Sequence, residues 1–221
     1  MKSAKTARVT PGGIAFLCQF ATIRGTKGTE MSDINTEVGN GYLSKDLGEY
    51  QARLTKLMLE ESPAIFANYS RAHAHCIIRT FFESAIDSIS VLAGDFGNKF
   101  YGLYDIRQAL VKAIRNGACV RVVSLCTREE SVAVVNKLKN ELNALRTEDA
   151  SVKGTFEVKF ATVKPGSQVK HYMVIDNKRY RLEDIHTDHI ESPVHAEVCC
   201  NGPSKAAALN LSFNAVWERL S

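Results

Sequence analysis

The 221-residue sequence lacks several features that would assign it to a class at once. No stretch approaches the roughly 18 consecutive apolar residues of a membrane-spanning helix, so we expect no membrane span. The six cysteines show no C-x-x-C spacing, which gives no sign of a thiolate metal site and favours a reducing, cytoplasmic location. Neither a G-x-G-x-x-G nor a Walker spacing occurs. The sequence therefore predicts no cofactor and no resident metal.

Most of the chain also carries no excess of positive or negative charge. The formal charge of +4 is confined to residues 1–30, where five basic side chains face the single acid Glu30. Residues 31–221 hold 23 basic and 23 acidic side chains. A domain without net positive charge does not attract nucleic acid through its overall charge, but a local cluster of basic residues could still do so. Binding to nucleic acid is neither predicted nor excluded.

The first 30 residues differ from the remainder in composition too. They are rich in Thr, Gly and Lys, and a glutamine interrupts their one apolar run, which argues against an export signal. We interpret residues 1–30 as a leader or unstructured segment outside the fold, with either Met1 or Met31 as the native start. Residues 31–87 are predicted to form an N-terminal helical extension, and residues 88–221 an α/β domain.

Two helices are predicted in the extension. Leu54, Leu57 and Met58 recur at helical spacing and would share one face. Pro63 should break or restart this helix. The second helix is predicted to follow from the apolar pattern between Phe66 and Asp87.

The cleanest pattern in the chain is a strand–helix–strand unit. The strands are "SISVLAG" and "CVRVVSL", and the helix between them is "YDIRQALVKAIRNG". Asp105 is its predicted N-cap and Gly117 its predicted C-terminal cap. Such a unit implies that its two strands are parallel neighbours.

A long helix, further strands and a closing helix follow. The long helix is "REESVAVVNKLKNELNALR", and the closing helix is "PSKAAALNLSFNAVWERL", whose proline suits the first turn. The remaining strands are predicted in "FEVKFAT", "HYMVID", "RYRLE" and "AEVCC". Together these elements predict a mixed α/β sheet covered by helices.

This order of elements resembles the phospholipase D superfamily. The resemblance is carried by "IRQALVKAIRNGACVRVVSL" before the central helix and by the ending "AEVCCNGPSKAAALNLSFNAVW", and it covers roughly Ala85 to Leu220. It implies a single phospholipase D-like mixed sheet flanked by helices. It also implies an active site carried by the motif H-x-K-x-x-x-x-D, followed by a Gly-Ser or Gly-Gly pair and an asparagine.

The motif is degenerate in this sequence. Aligning Asp176 with the motif's aspartate puts Val169 in place of the nucleophilic histidine and His171 in place of the lysine. Glu183 and Asp184 fall where the small pair is expected. In the family one histidine attacks phosphorus, a second protonates the leaving oxygen and lysines hold the phosphoryl oxygens. Valine can do none of this, so the resemblance implies a domain that is catalytically degenerate.

Two interpretations of the site stay open. If catalysis survives, the catalytic residues would be His171 as nucleophile with Lys170 and Asp176, and the chain would be a phosphodiesterase or nuclease. This alternative requires a bulge, because adjacent strand residues point to opposite faces. If catalysis is lost, the old cleft binds a phosphate-containing or other anionic ligand. The ligand-binding candidates are Arg179, Arg181 and Glu183, and two arginines on one strand face could grip a phosphate.

Other polar stretches have simpler interpretations. His73 and His75 lie two residues apart on a predicted helix and point about 200° apart, so they cannot chelate one metal. The stretch "EDIHTDHIESPVH" could bind zinc or manganese but is more often a solvated loop. The loop Gly94 to Gly102 follows a strand end, where open α/β sheets place ligands.

Assembly follows from the resemblance alone. Phospholipase D-like active sites resemble two motif copies facing each other across a two-fold axis, and this chain has room for one. We therefore expect a homodimer with an isologous interface near Val169 to Asp176. A second alternative, outside the family, is an α/β protein-interaction module whose N-terminal helices, Ser44 to Asp87, present the working surface.

Overall fold

A computed structural model describes residues 40–97, 100–163, 168–184 and 195–220. The predicted leader, residues 1–30, lies outside the described residues. Five helices and seven strands form in the described part. The helices are α1 (Asn40–Leu59), α2 (Arg71–Glu83), α3 (Tyr104–Arg115), α4 (Glu129–Glu148) and α5 (Pro203–Arg219). The strands are β1 (Ile65–Asn68), β2 (Ser88–Ala93), β3 (Cys119–Ser124), β4 (Thr155–Phe160), β5 (Tyr172–Ile175), β6 (Arg179–Glu183) and β7 (Ala196–Cys199).

The seven strands form one mixed sheet in the order β1-β7-β6-β5-β2-β3-β4. Strands β2, β3 and β4 are parallel, with Ser88 opposite Cys119 and Cys119 opposite Thr155. All other pairings are antiparallel. The predicted mixed α/β sheet and its parallel strand–helix–strand unit are confirmed.

Side chains that alternate along the strands build an apolar core on each face of the sheet. Helices α1 to α4 pack on one face, where Ile77, Phe81, Ile114 and Leu138 are fully buried. Helix α5 packs on the other face through Ala206 and Phe213. The valines of β3 are buried on both faces, as a parallel strand between two layers requires.

Local signals in the sequence explain two of the helix ends. The Ser70 side chain caps α2 by accepting a hydrogen bond from the His73 N–H at 3.1 Å. Gly117 has a φ of 110° after α3, a conformation that favours glycine. The prediction for the other end of α3 was wrong, because the cap position is Leu103 and Asp105 lies in the first turn. There the carboxylate still complements the helix dipole.

The segment before β2 differs from its prediction. Phe66, Ala67 and Asn68 were predicted to be helical, but they form β1, which pairs with β7 at the edge of the sheet. Helix α2 then begins only after its Ser70 cap. The predicted boundary between residues 87 and 88 separates α2 from β2, and both elements contribute to the same buried apolar cluster. No helix in the described ranges is both long and apolar enough to cross a membrane.

Candidate functional site

The candidate site lies where strands of opposite direction bring their ends to one edge of the sheet. Strand β2 ends at Ala93 and is followed by Gly94, whereas its antiparallel neighbour β5 begins at Tyr172, directly after His171. Strand β6 ends at this edge with Glu183, whose N–H donates to the His171 carbonyl at 2.8 Å. This is the carboxyl edge of the parallel strands, where open α/β sheets bind ligands.

His171 and Glu183 face each other across this edge. The imidazole Nδ1 lies 3.3 Å from the Glu183 Oε2, and the two side chains are 24% and 16% exposed. A carboxylate at this distance favours a proton on Nδ1 and orients the ring. The pairing follows from the strand register, because residues 171 and 183 continue the β5–β6 ladder.

Arg181 joins the same carboxylate from inside the protein. Its side chain is only 3% exposed, and its Nη1 donates to the Glu183 Oε1. Its Nε donates to the Asn68 Oδ1 at 3.1 Å, while the buried Nη2 has no hydrogen-bond partner among the described residues. An arginine keeps its charge when buried, so Glu183 supplies the compensating charge.

Two tyrosines border this group of charges. Burial raises the pKa of the Tyr101 hydroxyl well above its ordinary value, the Glu183 charge raises it further, and the Arg181 charge lowers it. Burial likewise raises the pKa of Tyr50, against the Arg181 charge. Both hydroxyls therefore stay protonated at neutral pH and can act as hydrogen-bond donors.

Gly94 fits against the imidazole of His171. A Cβ atom on residue 94 would lie 2.5 Å from the His171 Cε1 and 2.7 Å from its Nε2. Any larger residue at this position would displace the ring. Gly94 opens the loop that the sequence marked as a ligand position, but its contact with His171 was not predicted.

The loop after Gly94 is fixed by polar contacts to α4 and β3. Ser131, at the start of α4, is fully buried and donates its hydroxyl hydrogen to Asp95. The N–H of Phe96 donates to the Ser124 Oγ at 3.3 Å. The Nη1 of the exposed Arg128 lies 3.9 Å from the Asp95 Oδ2. These contacts anchor the described part of the loop beside His171.

Asp176 lies at the opposite end of β5 from His171. Its carboxylate accepts hydrogen bonds from the N–H groups of Ile86, Asp87 and Ser88 at 2.8–3.2 Å and from the Arg179 Nη1 at 3.0 Å. Asp176 and Asn177 have left-handed φ values of 50° and 54°, which aspartate and asparagine tolerate better than most residues. Asp176 therefore holds the β5–β6 turn against β2, and the fold does not bring it to His171.

Lys170 and Val169 also lie away from the His171–Glu183 pair. Val169 packs against the apolar cluster under α5. Lys170 is exposed, and its positive charge is close enough to Glu197 to lower the pKa of that carboxyl group. Burial alone would raise the pKa of Glu197, but hydrogen bonds from Tyr180 and Lys205 and the charges of both lysines hold it below its usual value.

Comparisons with known proteins identify the fold. No protein-family model matches the sequence, and no curated protein matches it significantly. Among solved structures, it is similar to Nuc, a phospholipase D family member from Salmonella typhimurium, with a TM-score of 0.53 and 22% sequence identity. The match covers 71% of this chain and 95% of that chain. The chain has a phospholipase D-like fold.

Two other solved structures overlap with this phospholipase D-like domain at lower similarity. TrmBL2, an archaeal chromatin protein, gives a TM-score of 0.47 at 12% identity, covering 80% of this chain and 64% of that chain. NucT from Helicobacter pylori gives 0.46 at 13% identity, covering 70% of this chain and 96% of that chain.

The phospholipase D-like fold gives the candidate residues distinct positions. His171, predicted as catalytic, and Arg181 and Glu183, predicted as ligand-binding, come together at the carboxyl edge. Arg179 is buried beside Asp176 at the far end of the hairpin. The bulge that the catalytic alternative requires is not present at His171, because the regular ladder bond from Glu183 reaches it. Asn68 and Gly94 are the contacts that sequence reasoning missed.

The histidine-rich stretch is only partly described. His186, Asp188, His189 and Glu191 lie outside the described residues, whereas His195 is exposed and meets the Tyr69 ring edge-on at 5.3 Å. His73 stacks on Tyr50 at 3.8 Å, and the His75 Nε2 lies 2.8 Å from the Asp105 Oδ2. No group of three metal-binding side chains occurs within the described ranges.

Proposed function

We propose that this phospholipase D-like domain is catalytically degenerate and binds a phosphate-containing or other anionic ligand at the His171 edge. The observation that carries the proposal is the composition of that edge. One histidine, one carboxylate and one buried arginine gather there, and a valine stands where the resemblance requires the nucleophilic histidine.

The anionic character of the ligand follows from the donors. The Arg181 guanidinium is buried with one nitrogen unpaired among the described residues, and His171 is partly exposed beside it. An anion that reaches this edge can accept a hydrogen bond from the partly exposed His171, while the buried Arg181 contributes its positive charge from inside the protein. Glu183 compensates part of this positive charge, so we expect modest affinity.

The alternative, an active phosphodiesterase or nuclease, rests on the His171–Glu183 pair. A carboxylate that orients a histidine is a common arrangement for general acid–base or nucleophilic chemistry. The geometry disfavours the participation of Lys170 and Asp176, because neither lies beside His171. This alternative therefore requires one histidine to act without the lysine clamp that the resemblance implies.

Dimerisation is part of the proposal. The four residues of β5 are buried inside the sheet, so a partner can reach the stretch Val169 to Asp176 only at its ends. The His171 end, with exposed Lys170, is the part of the predicted interface that would face a two-fold axis. We place the domain in the cytoplasm, because the five described cysteines form no disulfide.

Two measurements on the full chain test this function. Hydrolysis of bis(p-nitrophenyl) phosphate should stay at the rate of the buffer blank, whereas inorganic phosphate should raise the thermal unfolding temperature. The His171→Ala variant should lose most of the phosphate effect, and the matched variant His195→Ala should keep it. Release of nitrophenol that His171→Ala abolishes in a folded protein would overturn the degenerate interpretation in favour of the enzyme.

A further inference from the structure

The two edges of the sheet are protected very differently. At one edge, β4 carries Glu157 and Lys159, and charged side chains on an edge strand oppose pairing with another chain. At the other edge, β1 lies in a stretch from Ser62 to Ser70 that contains no charged residue. Its outer side pairs with no other strand in the described part of the chain.

Large apolar side chains of this edge are open to solvent. Ile65 is 64% exposed and Tyr69 is 61% exposed. Ile65 begins β1 and Tyr69 directly follows its last residue, and both side chains line the same groove. An uncharged edge strand with exposed apolar side chains has the properties of a template for strand addition.

A groove runs beside β1, where α1 passes over the strand. Its volume is about 240 Å³, and it is lined by Tyr50, Arg53, Leu54, Ile65, Phe66 and Tyr69 among others. Pockets for drug-sized ligands are usually larger, about 300–1,000 Å³. The groove therefore suits one or two side chains of a polypeptide better than a whole nucleotide or lipid headgroup.

Arg53 gives this groove a charge. Its side chain is exposed and makes no ion pair with any described residue. Lys56, one turn further along α1, is already paired with Glu60 at 3.8 Å. Arg53 is therefore the charged residue of the groove without an ion-pair partner among the described residues. A carboxylate on a bound molecule could pair with it.

We propose that the β1 edge and this groove bind an extended segment of another polypeptide. The segment adds a strand beside Ile65 to Asn68, places an apolar side chain in the groove and sets an acidic side chain beside Arg53. A second copy of this chain fits less well, because its own uncharged stretch from Ser62 to Ser70 brings no carboxylate to Arg53. This binding site adjoins the anion site, because Tyr50 lines the groove and Asn68 of β1 accepts a hydrogen bond from Arg181. The proposed peptide contacts at Arg53 and Ile65 do not include His171, so the proposal does not depend on anion binding there.

Selection of random displayed peptides on the full-length protein tests the proposal. We expect enrichment of sequences in which apolar residues alternate and an acidic residue stands nearby. A synthetic copy of a selected peptide, labelled for fluorescence anisotropy, should bind the Arg53→Glu and Ile65→Lys variants about tenfold more weakly than the wild type. The control variant Lys56→Glu, on the same helix but outside the groove, should bind within about twofold of the wild type.

Three results would overturn the proposal. They are the absence of any enriched peptide class, equal peptide affinity for wild type and both groove variants, and self-association of the protein that Ile65→Lys abolishes. Circular dichroism confirms that each variant is folded, which both exposed positions should allow. His171→Ala should leave peptide affinity unchanged, so failure of the anion site and failure of the peptide site are distinguishable.

Discussion

The imidazole of His171 lies so close to Gly94 that a methyl group on residue 94 would come within 2.5 Å of its Cε1. The glycine therefore sets where the histidine can stand, and through it the distance of 3.3 Å between His171 and Glu183. The position of His171 thus depends on the absence of a side chain at residue 94. A substitution there can displace the imidazole without changing any polar group of the site.

Gly94→Ala should displace the His171 ring and weaken its contact with Glu183. Because the imidazole can rotate away, the free energy of unfolding should fall by about 1 kcal/mol, the low end of the range for an added methyl group. Phosphate should protect this variant from thermal unfolding less than it protects the wild type. The His171 ring resonances in NMR spectra report the displacement directly.

The control for this prediction is Gly48→Ala. Gly48 is an exposed residue in the interior of α1 with no atom within 4 Å of an added Cβ. Replacing a helix-interior glycine by alanine should raise the free energy of unfolding by about 0.5–1 kcal/mol. Unchanged His171 resonances in Gly94→Ala would show that the close approach does not hold in solution.

Asp176→Asn should destabilise the fold without affecting any chemistry at His171. The change removes the charge that faces buried Arg179 and weakens acceptance from three backbone N–H groups. Loss of one partner of a buried ion pair costs about 3–5 kcal/mol, so urea denaturation should shift to a clearly lower midpoint. The exposed Asp184→Asn should leave the midpoint nearly unchanged. An equal midpoint for Asp176→Asn and wild type would contradict the anchoring role.

The order of elements could be predicted because most strands are short apolar runs and the helices show clear periodicity. Strand β1 could not, because Phe66 to Asn68 lie next to a helical pattern and have no alternation long enough to identify a strand. The cap residue Ser70 was a usable signal, since it marks the true start of α2. In the structure its Oγ accepts a hydrogen bond from the His73 N–H.

The candidate site was predicted in part for a different reason. His171, Arg181 and Glu183 are close in sequence, and strand register alone brings them together. Asn68 contacts Arg181 from 113 residues away, and Gly94 reaches His171 only through the pairing of β2 with β5. Contacts of that separation depend on topology, and no local spacing in the sequence reports them.

Acid should weaken the fold partly through Glu197. Its pKa is below the usual value of 4.5 in the folded protein, so its charged form stabilises the native state above that value. This stability is lost as the pH falls through the folded pKa, where the native carboxylate finally takes up a proton. Glu197→Gln should therefore lose stability at neutral pH and show a flatter decline of the urea midpoint between neutral and strongly acid pH. The variant of the exposed Glu49, Glu49→Gln, should show the same dependence of the urea midpoint on pH as the wild type. If Glu197→Gln also ran parallel to the wild type, Glu197 would not contribute to the loss of stability in acid.

Self-association should depend on the His171 edge. Light scattering at micromolar concentration should give the mass of a dimer, because this chain offers one motif copy where the resemblance implies two. Lys170 is exposed and directly precedes His171 in the chain, so near a two-fold axis Lys170→Glu changes the charge of both copies at once and should shift the dissociation constant. Lys137→Glu, on the exposed side of α4, should leave it unchanged. If the protein is a strict monomer and phosphate does not protect it against thermal unfolding, both the dimer and the anion site are contradicted. If it is a monomer that phosphate does protect, a single His171 edge is sufficient for binding.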